Sequence, residues 1–183
     1  GGINTTFHGN YVSGSDTAMI FIGKGNLITG NDAHNNQGTG ITIGGFDNEV
    51  SYNTAFNNSG NDGISLTFCW DSEVFGNIAE NNARAGISII EGSNNTIVDN
   101  QMRHNRFGFG MQGLFSQGPS SGNLIANNTI TQSTEAGIAL HDGVIWKIGE
   151  LLFGKSVKIK GHKVIDNSFT GNYLENPAAD LYV

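Results

Sequence analysis

The sequence predicts an all-β solenoid, a parallel β-helix in which short strands stack coil upon coil. One observation is a glycine that recurs at intervals of 23, 23, 22 and 29 residues before an apolar strand. A second is an asparagine that recurs with the same period, eight to ten residues before each such strand. The glycines are Gly40, Gly63, Gly86, Gly108 and Gly137, and the asparagines are Asn10, Asn31, Asn53, Asn77, Asn100 and Asn128. Two markers with one period indicate a repeat architecture.

Each period contains three short strands. The first carries apolar residues two positions apart, as in Ile64 and Leu66, which is the pattern of a strand with one buried face. A second strand follows after a turn, as in 73–75, and a third follows the asparagine, as in 77–80. Three strands in so few residues leave no room for a helix. We therefore expect about seven coils of about 23 residues, stacked into a solenoid roughly 35 Å long.

The recurrent asparagines are predicted to be structural. An inward-facing Asn at a sharp bend can bond its own backbone and the same Asn of the next coil, and Asn tolerates the left-handed backbone conformation. Two further columns are expected to mark the next bend, Asn35/Asn57/Asn81/His104 and Asn36/Asn58/Asn82/Asn105.

The repeat is interrupted at two places. A short interruption falls near residues 115–122, and a longer insertion covers residues 141–163. We interpret residues 1–183 as a single β-helix domain. Because the chain starts and stops on strand-like segments, we expect it to be part of a longer protein, or to have its open ends capped by flanking domains or by oligomerisation.

Charge and composition exclude several partners. The net charge of −7 and a pI of about 5.0 argue against binding to nucleic acid or to an anionic membrane. No run of 18 apolar residues is present, so no membrane span is predicted. Cys69 is the single cysteine, which excludes an intrachain disulfide and a cysteine-based metal site.

Three stretches carry a family resemblance: GNDAHNNQGTGITIGG, NIAENNARAGISII and NNTITQSTEAGIAL. They resemble right-handed parallel β-helix proteins of the pectate-lyase-like superfamily. Within it they are similar to the repeat family shared by mannuronan C5-epimerase modules, alginate lyases and periplasmic copper-processing β-helix proteins. The resemblance covers nearly the whole chain and implies a right-handed coil.

The resemblance also implies binding or modification of an acidic extracellular polysaccharide such as alginate or pectin, by a secreted or cell-surface protein of a bacterium or phage. As an enzyme the chain would be a polysaccharide lyase or resemble a C5-epimerase. It departs from the epimerases in lacking their catalytic signature Tyr-Gly-Phe-Asp-Pro-His-Glu. The alternative is a non-catalytic β-helix module of a tailspike, an adhesin or a larger surface protein.

The strand after each recurrent glycine is the expected polysaccharide-binding surface. Its outward residues are small and would form a flat floor: Thr42, Ser65, Ser88, Gly110 and Ala139. Asp62, Arg84, Arg106 and Glu135 line the rim that precedes this strand. Arg84 and Arg106 should lie one coil apart and could bind successive uronate carboxylates, with Asp62 and Glu135 as further substrate-binding residues. The alternative is a solvated charge ladder in which the two acids pair with the two arginines.

The opposite rim carries the catalytic candidates. Its polar residues are Asp47, Asp71, Glu91, Gln112, His141 and Asp142. A lyase or epimerase needs a base, a proton donor and a group that neutralises the carboxylate. His141 is the candidate base, Arg106 the neutraliser and Gln112 a substrate contact, with Tyr52 or Tyr173 as donor. A hydrolase would instead use Asp142 opposite Glu91 or Asp71. The alternative for His141 is a histidine that merely begins a loop.

Trp70, directly after a strand, is a candidate for stacking on a sugar ring, or else for packing under a neighbouring loop. No metal site is predicted, because His8, His34, His104 and His162 share no ligand spacing and are expected to be structural. No cofactor is predicted, and Ca²⁺ held by aspartates on the turns is the one option left open.

Overall fold

The computed structural model describes residues 1–112, 120–141, 163–165, 167–170 and 181–182. All strands in these ranges pair in parallel with the equivalent strands of the neighbouring coils, and they form three sheets. The predicted all-β parallel solenoid is therefore confirmed. No helix long and apolar enough to cross a bilayer occurs in these ranges.

Sheet A is built from the strands that follow the recurrent glycines. Its strands are β1 (Gly2–Ile3), β4 (Met19–Lys24), β7 (Ile41–Phe46), β10 (Ile64–Trp70), β13 (Ala85–Ser93), β16 (Phe107–Gln112), β19 (Ala136–His141) and β22 (Leu181–Tyr182). Ile41, Ile64 and Ile87 are register partners on neighbouring strands, so one coil takes 23 residues here.

Sheet B contains the second strand of each coil. Its strands are β2 (Thr6–His8), β5 (Leu27–Thr29), β8 (Glu49–Ser51), β11 (Glu73–Phe75), β14 (Thr96–Val98), β17 (Leu124–Ala126) and β20 (Lys163–Ile165). The spacing between register partners rises to 39 residues between Leu124 and Lys163. The predicted insertion begins at His141, the last residue of β19, and residues 142–162 lie outside the described part of the chain.

Sheet C contains the third strand of each coil. Its strands are β3 (Tyr11–Ser13), β6 (Asp32–His34), β9 (Thr54–Phe56), β12 (Ile78–Glu80), β15 (Gln101–Arg103), β18 (Thr129–Thr131) and β21 (Ser168–Thr170). In the three-residue strands the middle side chain points inward and the outer two point outward, as a period of two requires. Sheets B and C therefore each contribute one apolar side chain per coil to the core.

The core is a continuous apolar column inside the three sheets. Sheet A supplies pairs such as Ile64 and Leu66, sheet B supplies Val74, and sheet C supplies Met102, all fully buried. Burial of an aliphatic side chain of this size stabilises the fold by about 1.5–3 kcal/mol. Equivalent positions fill the core in successive coils, although Phe7 and Val12 of the first coil are only partly buried, so the apolar period seen in the sequence is the period of the core.

Buried asparagine ladders connect the coils at the bends, as predicted. Oδ1 of Asn77 accepts from the backbone N–H of Asn53 at 2.9 Å and from its Nδ2 at 3.0 Å, and Asn77 donates in the same way to Asn100. The column of Asn36, Asn58, Asn82 and Asn105 repeats this pattern. A third ladder, not predicted, comprises Asn26, Asn48, Ser72, Asn95 and Asn123.

The predicted column that begins with Asn35 has a different function in the fold. Asn35, Asn57, Asn81 and His104 adopt φ of 53–55° in the left-handed region. They turn the chain at the bend that follows sheet C, immediately before the ladder of Asn36, Asn58, Asn82 and Asn105.

The recurrent glycine is required by the asparagine of the next coil. A Cβ on Gly63 would come 2.6 Å from Nδ2 of Asn82 and 2.7 Å from the carbonyl oxygen of Gly86. A Cβ on Gly86 would meet Nδ2 of Asn105 at 2.7 Å. The recurrent glycine and the ladder of Asn58, Asn82 and Asn105 therefore form one packing unit, which explains why these two columns share a period.

Candidate functional site

The small outward residues of sheet A form one row, but the row is not an open floor. Thr42, Ser65, Ser88, Gly110 and Ala139 are register partners on consecutive strands. Ser65, Ser88 and Ala139 are nevertheless at most 2% exposed. A Cβ added to Gly110 would lie 3.3 Å from Cβ of Ala85, so neighbouring side chains close over the row. The expectation of an exposed floor is therefore wrong for its centre.

A buried carboxylate occupies one side of this row. Oδ1 of Asp62 accepts from the backbone N–H of Ala85 at 2.9 Å, and its Oδ2 accepts from Oγ of Ser88 at 2.7 Å. The hydroxyl of Ser65 lies 3.0 Å from that of Ser88. Asp62 therefore holds the start of β13 and the two serines in one hydrogen-bonded cluster.

Arg84 closes this cluster toward solvent. Its NH1 lies 3.3 Å from Oδ2 of Asp62 and 3.3 Å from Oδ1 of Asn61. The side chain of Asp62 is 0% exposed and that of Arg84 is 25% exposed. Desolvation by burial raises the pKa of Asp62, and the Arg84 charge and the hydrogen bonds from Ala85 and Ser88 oppose that rise. Asp62 is thus placed beneath the arginine and is inaccessible to a ligand.

The second arginine of this rim lies in the next coil. The backbone N–H of Phe107 bonds the carbonyl oxygen of Arg84, so Arg106 is adjacent to Arg84 in the stack, as predicted. Nε of Arg106 donates to Oε1 of Glu135 at 2.6 Å, and its guanidinium lies over the ring of Phe107 at 5.1 Å. Arg106 and Glu135 are both about half exposed.

The two ion pairs of this rim, Arg84 with Asp62 and Arg106 with Glu135, are those expected for a charge ladder. Within the described residues, Arg84 bonds through NH1 and Arg106 through Nε. A guanidinium has five N–H donors in a planar fork, so each arginine retains donors for an incoming carboxylate. The acids orient the two arginines and leave part of each fork directed at solvent.

An aromatic pair lies at the other end of the sheet A strands. Trp70 is half-buried and stacks on Phe46, with ring centroids 4.9 Å apart and planes 19° apart. Phe46 is 47% exposed, and Lys24 in the preceding coil pairs with Asp47 at 3.4 Å. Trp70 thus contacts an exposed ring of the preceding coil, and the pair is one accessible apolar surface on this side of the solenoid.

Two of the predicted residues of the opposite rim, Gln112 and His141, end the neighbouring strands β16 and β19. Gln112 is half-buried and is the register partner of His141. His141 is placed by its backbone at the end of β19, and Asp142 lies outside the described residues. Their catalytic roles remain predictions.

The other acid–base candidates are dispersed. Tyr52 lies at the bend between sheets B and C, away from the outer face of sheet A, and Tyr173 is outside the described residues. Asp71 is exposed and accepts from Nδ2 of Asn94 at 3.1 Å, whereas Glu91 is only 3% exposed. No group of three His, Cys, Asp or Glu side chains in the described ranges could hold a metal ion.

One polar cluster, on the outer face of sheet C, was not predicted from the sequence. His34, expected to be structural, bonds both Asp32 and Tyr11. The signal was available in the period: Tyr11 lies one coil before Asp32, and His34 follows Asp32 by two positions, so all three point outward from neighbouring strands.

Comparison with known proteins identifies the family and the fold. Residues 1–148 match the family described as "Right handed beta helix region". No curated protein matches the chain. A double mutant of the periplasmic alginate epimerase AlgG has a similar structure, with a TM-score of 0.66 and 16% identity over 90% of this chain and 44% of that one.

Two further solved structures are similar. Another structure of the periplasmic alginate epimerase AlgG has a TM-score of 0.60 and 17% identity over 94% of this chain and 49% of that one. The A-module of the mannuronan C-5 epimerase AlgE4 of Azotobacter vinelandii has a TM-score of 0.51 and 15% identity over 94% and 56%. The chain thus spans about half the length of these structures, and identities this low show the fold alone. The family match, which covers most of the sequence, shows that the chain belongs to the right-handed β-helix family.

Proposed function

We propose that the outer face of sheet A binds an acidic polysaccharide of the alginate or pectin type. The observation that carries the proposal is the placement of Arg84 and Arg106 at the same position of adjacent coils, each anchored by an acid. An extended polyuronate carries one carboxylate per sugar, and a guanidinium fork binds a carboxylate through two parallel hydrogen bonds. Two stacked forks match a row of carboxylates along the solenoid.

The net charge of −7 constrains how this binding works. A protein of that charge repels a polyanion at long range, so recognition depends on short-range contacts with the two forks. The Phe46–Trp70 pair would supply an apolar surface for a sugar ring at the far end of the same strands. The similar structures are those of alginate and mannuronan epimerases, which supports a uronate polymer as ligand and a location outside the cytoplasm.

If the face is also catalytic, the chemistry is removal of the proton α to the uronate carboxylate. Arg106 would neutralise the carboxylate of a sugar bound at the start of the sheet A strands. His141 lies at the end of β19, about 20 Å along the strand from Glu135, the partner of Arg106, so it would take a proton only from a sugar bound at that other end. Lyase and C5-epimerase reactions share this step and differ in the step after it. Arg84 would hold a neighbouring sugar in place.

Binding is tested by calorimetric titration with alginate, polygalacturonate and a neutral glucan of similar length. The Arg84→Gln/Arg106→Gln double variant removes both forks. The matched control is Arg103→Gln, since Arg103 is also a half-exposed arginine, paired with Glu80 at 2.9 Å on sheet C. Wild type and the control should bind both polyuronates, and the double variant should lose at least about tenfold in affinity, as two charged hydrogen-bonded contacts imply. Equal affinity for the neutral glucan would reject the proposal.

A non-catalytic surface module is the second candidate. Both arginines already have acidic partners, which is what a purely structural charge ladder requires. Absorbance near 235 nm during incubation with the same polymers reports the unsaturated ends that a lyase makes, and proton exchange at C5 in ²H₂O reports epimerisation. Polyuronate binding without either signal would favour the module.

A further inference from the structure

A second group of chemically reactive side chains lies on sheet C, on strands β3 and β6, whereas Arg84 and Arg106 lie immediately before β13 and β16 of sheet A. The hydroxyl of Tyr11 lies 2.8 Å from Nε2 of His34, and Nδ1 of the same ring lies 2.8 Å from Oδ1 of Asp32. Tyr11 and Asp32 are register partners on β3 and β6, and His34 follows two positions later on the same face. One imidazole thus connects a phenol to a carboxylate.

The hydrogen bonds fix the role of each atom. A carboxylate only accepts, so Nδ1 of His34 carries the proton and donates to Asp32. In the neutral ring Nε2 then has a free lone pair, and it accepts from the Tyr11 hydroxyl. This is the arrangement of a nucleophile, a base and a group that orients the base, on which activated hydroxyl nucleophiles depend.

Packing holds the imidazole in this position. The ring of Phe56 on β9 stacks on that of His34, with centroids 4.5 Å apart and planes 20° apart, while Tyr11 meets it edge-on. His34 is only 8% exposed, whereas Tyr11 is 66% exposed. The strands on either side present Ser13, Thr54 and Phe56, so Asp32 is the only charged group facing the ring from β3, β6 or β9. The base is therefore fixed and shielded, and the phenol it serves is open to solvent.

We propose that Tyr11 is an activated phenol nucleophile that takes the acyl group of aryl esters of small carboxylic acids, with His34 as its base and Asp32 as the positioning residue. In the reaction the Tyr11 oxygen bonds the acyl carbon and the ester C–O bond breaks. The phenolic proton passes to Nε2 of His34 and then to the departing aryl oxide. The products are O-acyl-Tyr11 and the free phenol of the ester.

Tyr52 is an internal reference for the reactivity of Tyr11. Tyr52 is 65% exposed, nearly the same as Tyr11, and its ring also meets an aromatic neighbour edge-on, Phe75 at 5.5 Å. Within the described residues its hydroxyl has no hydrogen bond to a histidine. The two tyrosines therefore differ in the base and not in access to a reagent.

The test is acetylation of the native protein by p-nitrophenyl acetate, followed by peptide mass spectrometry to give separate rates for Tyr11 and Tyr52. Tyr11 should react at least about 100-fold faster, the low end of a general-base contribution. His34→Gln should reduce the Tyr11 rate to that of Tyr52 and leave Tyr52 unchanged. Asp32→Asn should lower the Tyr11 rate by a smaller factor.

The unchanged Tyr52 rate in each variant shows that the reagent acts equally on all the proteins, and the circular dichroism spectrum of each variant shows whether the fold is intact. If the His34→Gln variant does not fold, the proposal is judged from two other results: the ratio of the Tyr11 and Tyr52 rates in wild type, and the Tyr11 rate in Asp32→Asn. Equal rates at the two tyrosines in wild type, or a fast Tyr11 that survives both substitutions, would overturn the proposal. Because the site lies on a different sheet from the arginine rim, neither result bears on polysaccharide binding.

Discussion

Replacing Asn77 with alanine should remove the central link of an asparagine ladder. The backbone N–H of Asn53 would lose its acceptor at 2.9 Å inside the protein, at a cost of about 1–3 kcal/mol. Bonds from Nδ2 of Asn77 to the carbonyl oxygens of Val50 (2.9 Å) and Phe75 (3.0 Å) and to Asn100 (3.0 Å) would also be lost. The Nδ2 group has two N–H protons for these three acceptors, so about two net bonds of roughly 0.5–1.5 kcal/mol each are lost, and the free energy of unfolding should fall by about 2–6 kcal/mol in all.

The control for this variant is Asn10→Ala in the same ladder. Asn10 is exposed and donates to Oδ1 of Asn31, but no described backbone N–H depends on its side chain as an acceptor. Its replacement should cost less than about 1 kcal/mol. Urea unfolding followed by circular dichroism gives both values. A cost for Asn77→Ala below about 1 kcal/mol, or equal costs at the two positions, would refute the view that buried ladder bonds hold the coils together.

Three further predictions concern packing and titration. Gly63→Ala should lower the free energy of unfolding by about 1–3 kcal/mol, because the new Cβ overlaps Nδ2 of Asn82; an unchanged urea midpoint would contradict this. Cys69 is fully buried and burial raises its thiol pKa to about 11, so iodoacetamide at pH 8 should label it only after unfolding, and rapid native labelling would be the contrary result. Because the folded pKa of Asp62 is raised above 3.8, wild type should lose stability relative to Asp62→Asn as pH rises from about 3.8 through the folded pKa. Melting temperatures of both proteins from pH 3.5 to about 7 test this, and a constant difference would contradict it.

The fold was predictable because the core, the bends and the glycines share one period. Gly63 and Asn82 recur together in the sequence because they are in contact in the structure. The third ladder was harder to detect because Ser72 replaces an asparagine in it and breaks the column. The register between neighbouring strands could be predicted from the spacing of the repeat, since Arg84 and Arg106, which occupy the same repeat position, are adjacent in the structure.

The environment of each side chain could not be read from the same pattern. Alternation places Ser88 on the outer face, but its exposure depends on how Asp62 and Arg84 fold over it from neighbouring positions. Asp62 lies just before β10, and its burial likewise depends on three residues of the next coil, Arg84, Ala85 and Ser88. His34 appeared isolated in the sequence, and its partners became visible only when β3 and β6 were aligned.

The central claim, that the arginine rim of sheet A binds uronate carboxylates, is tested most directly by NMR of the arginine side chains. Titration with an oligouronate should shift the Nε–Hε signals of Arg84 and Arg106 in a saturable manner, while that of Arg103 on sheet C stays in place. A neutral oligosaccharide of the same length should shift none of them. Unshifted signals for Arg84 and Arg106 at saturating oligouronate, or equal shifts at Arg103, would contradict the claim.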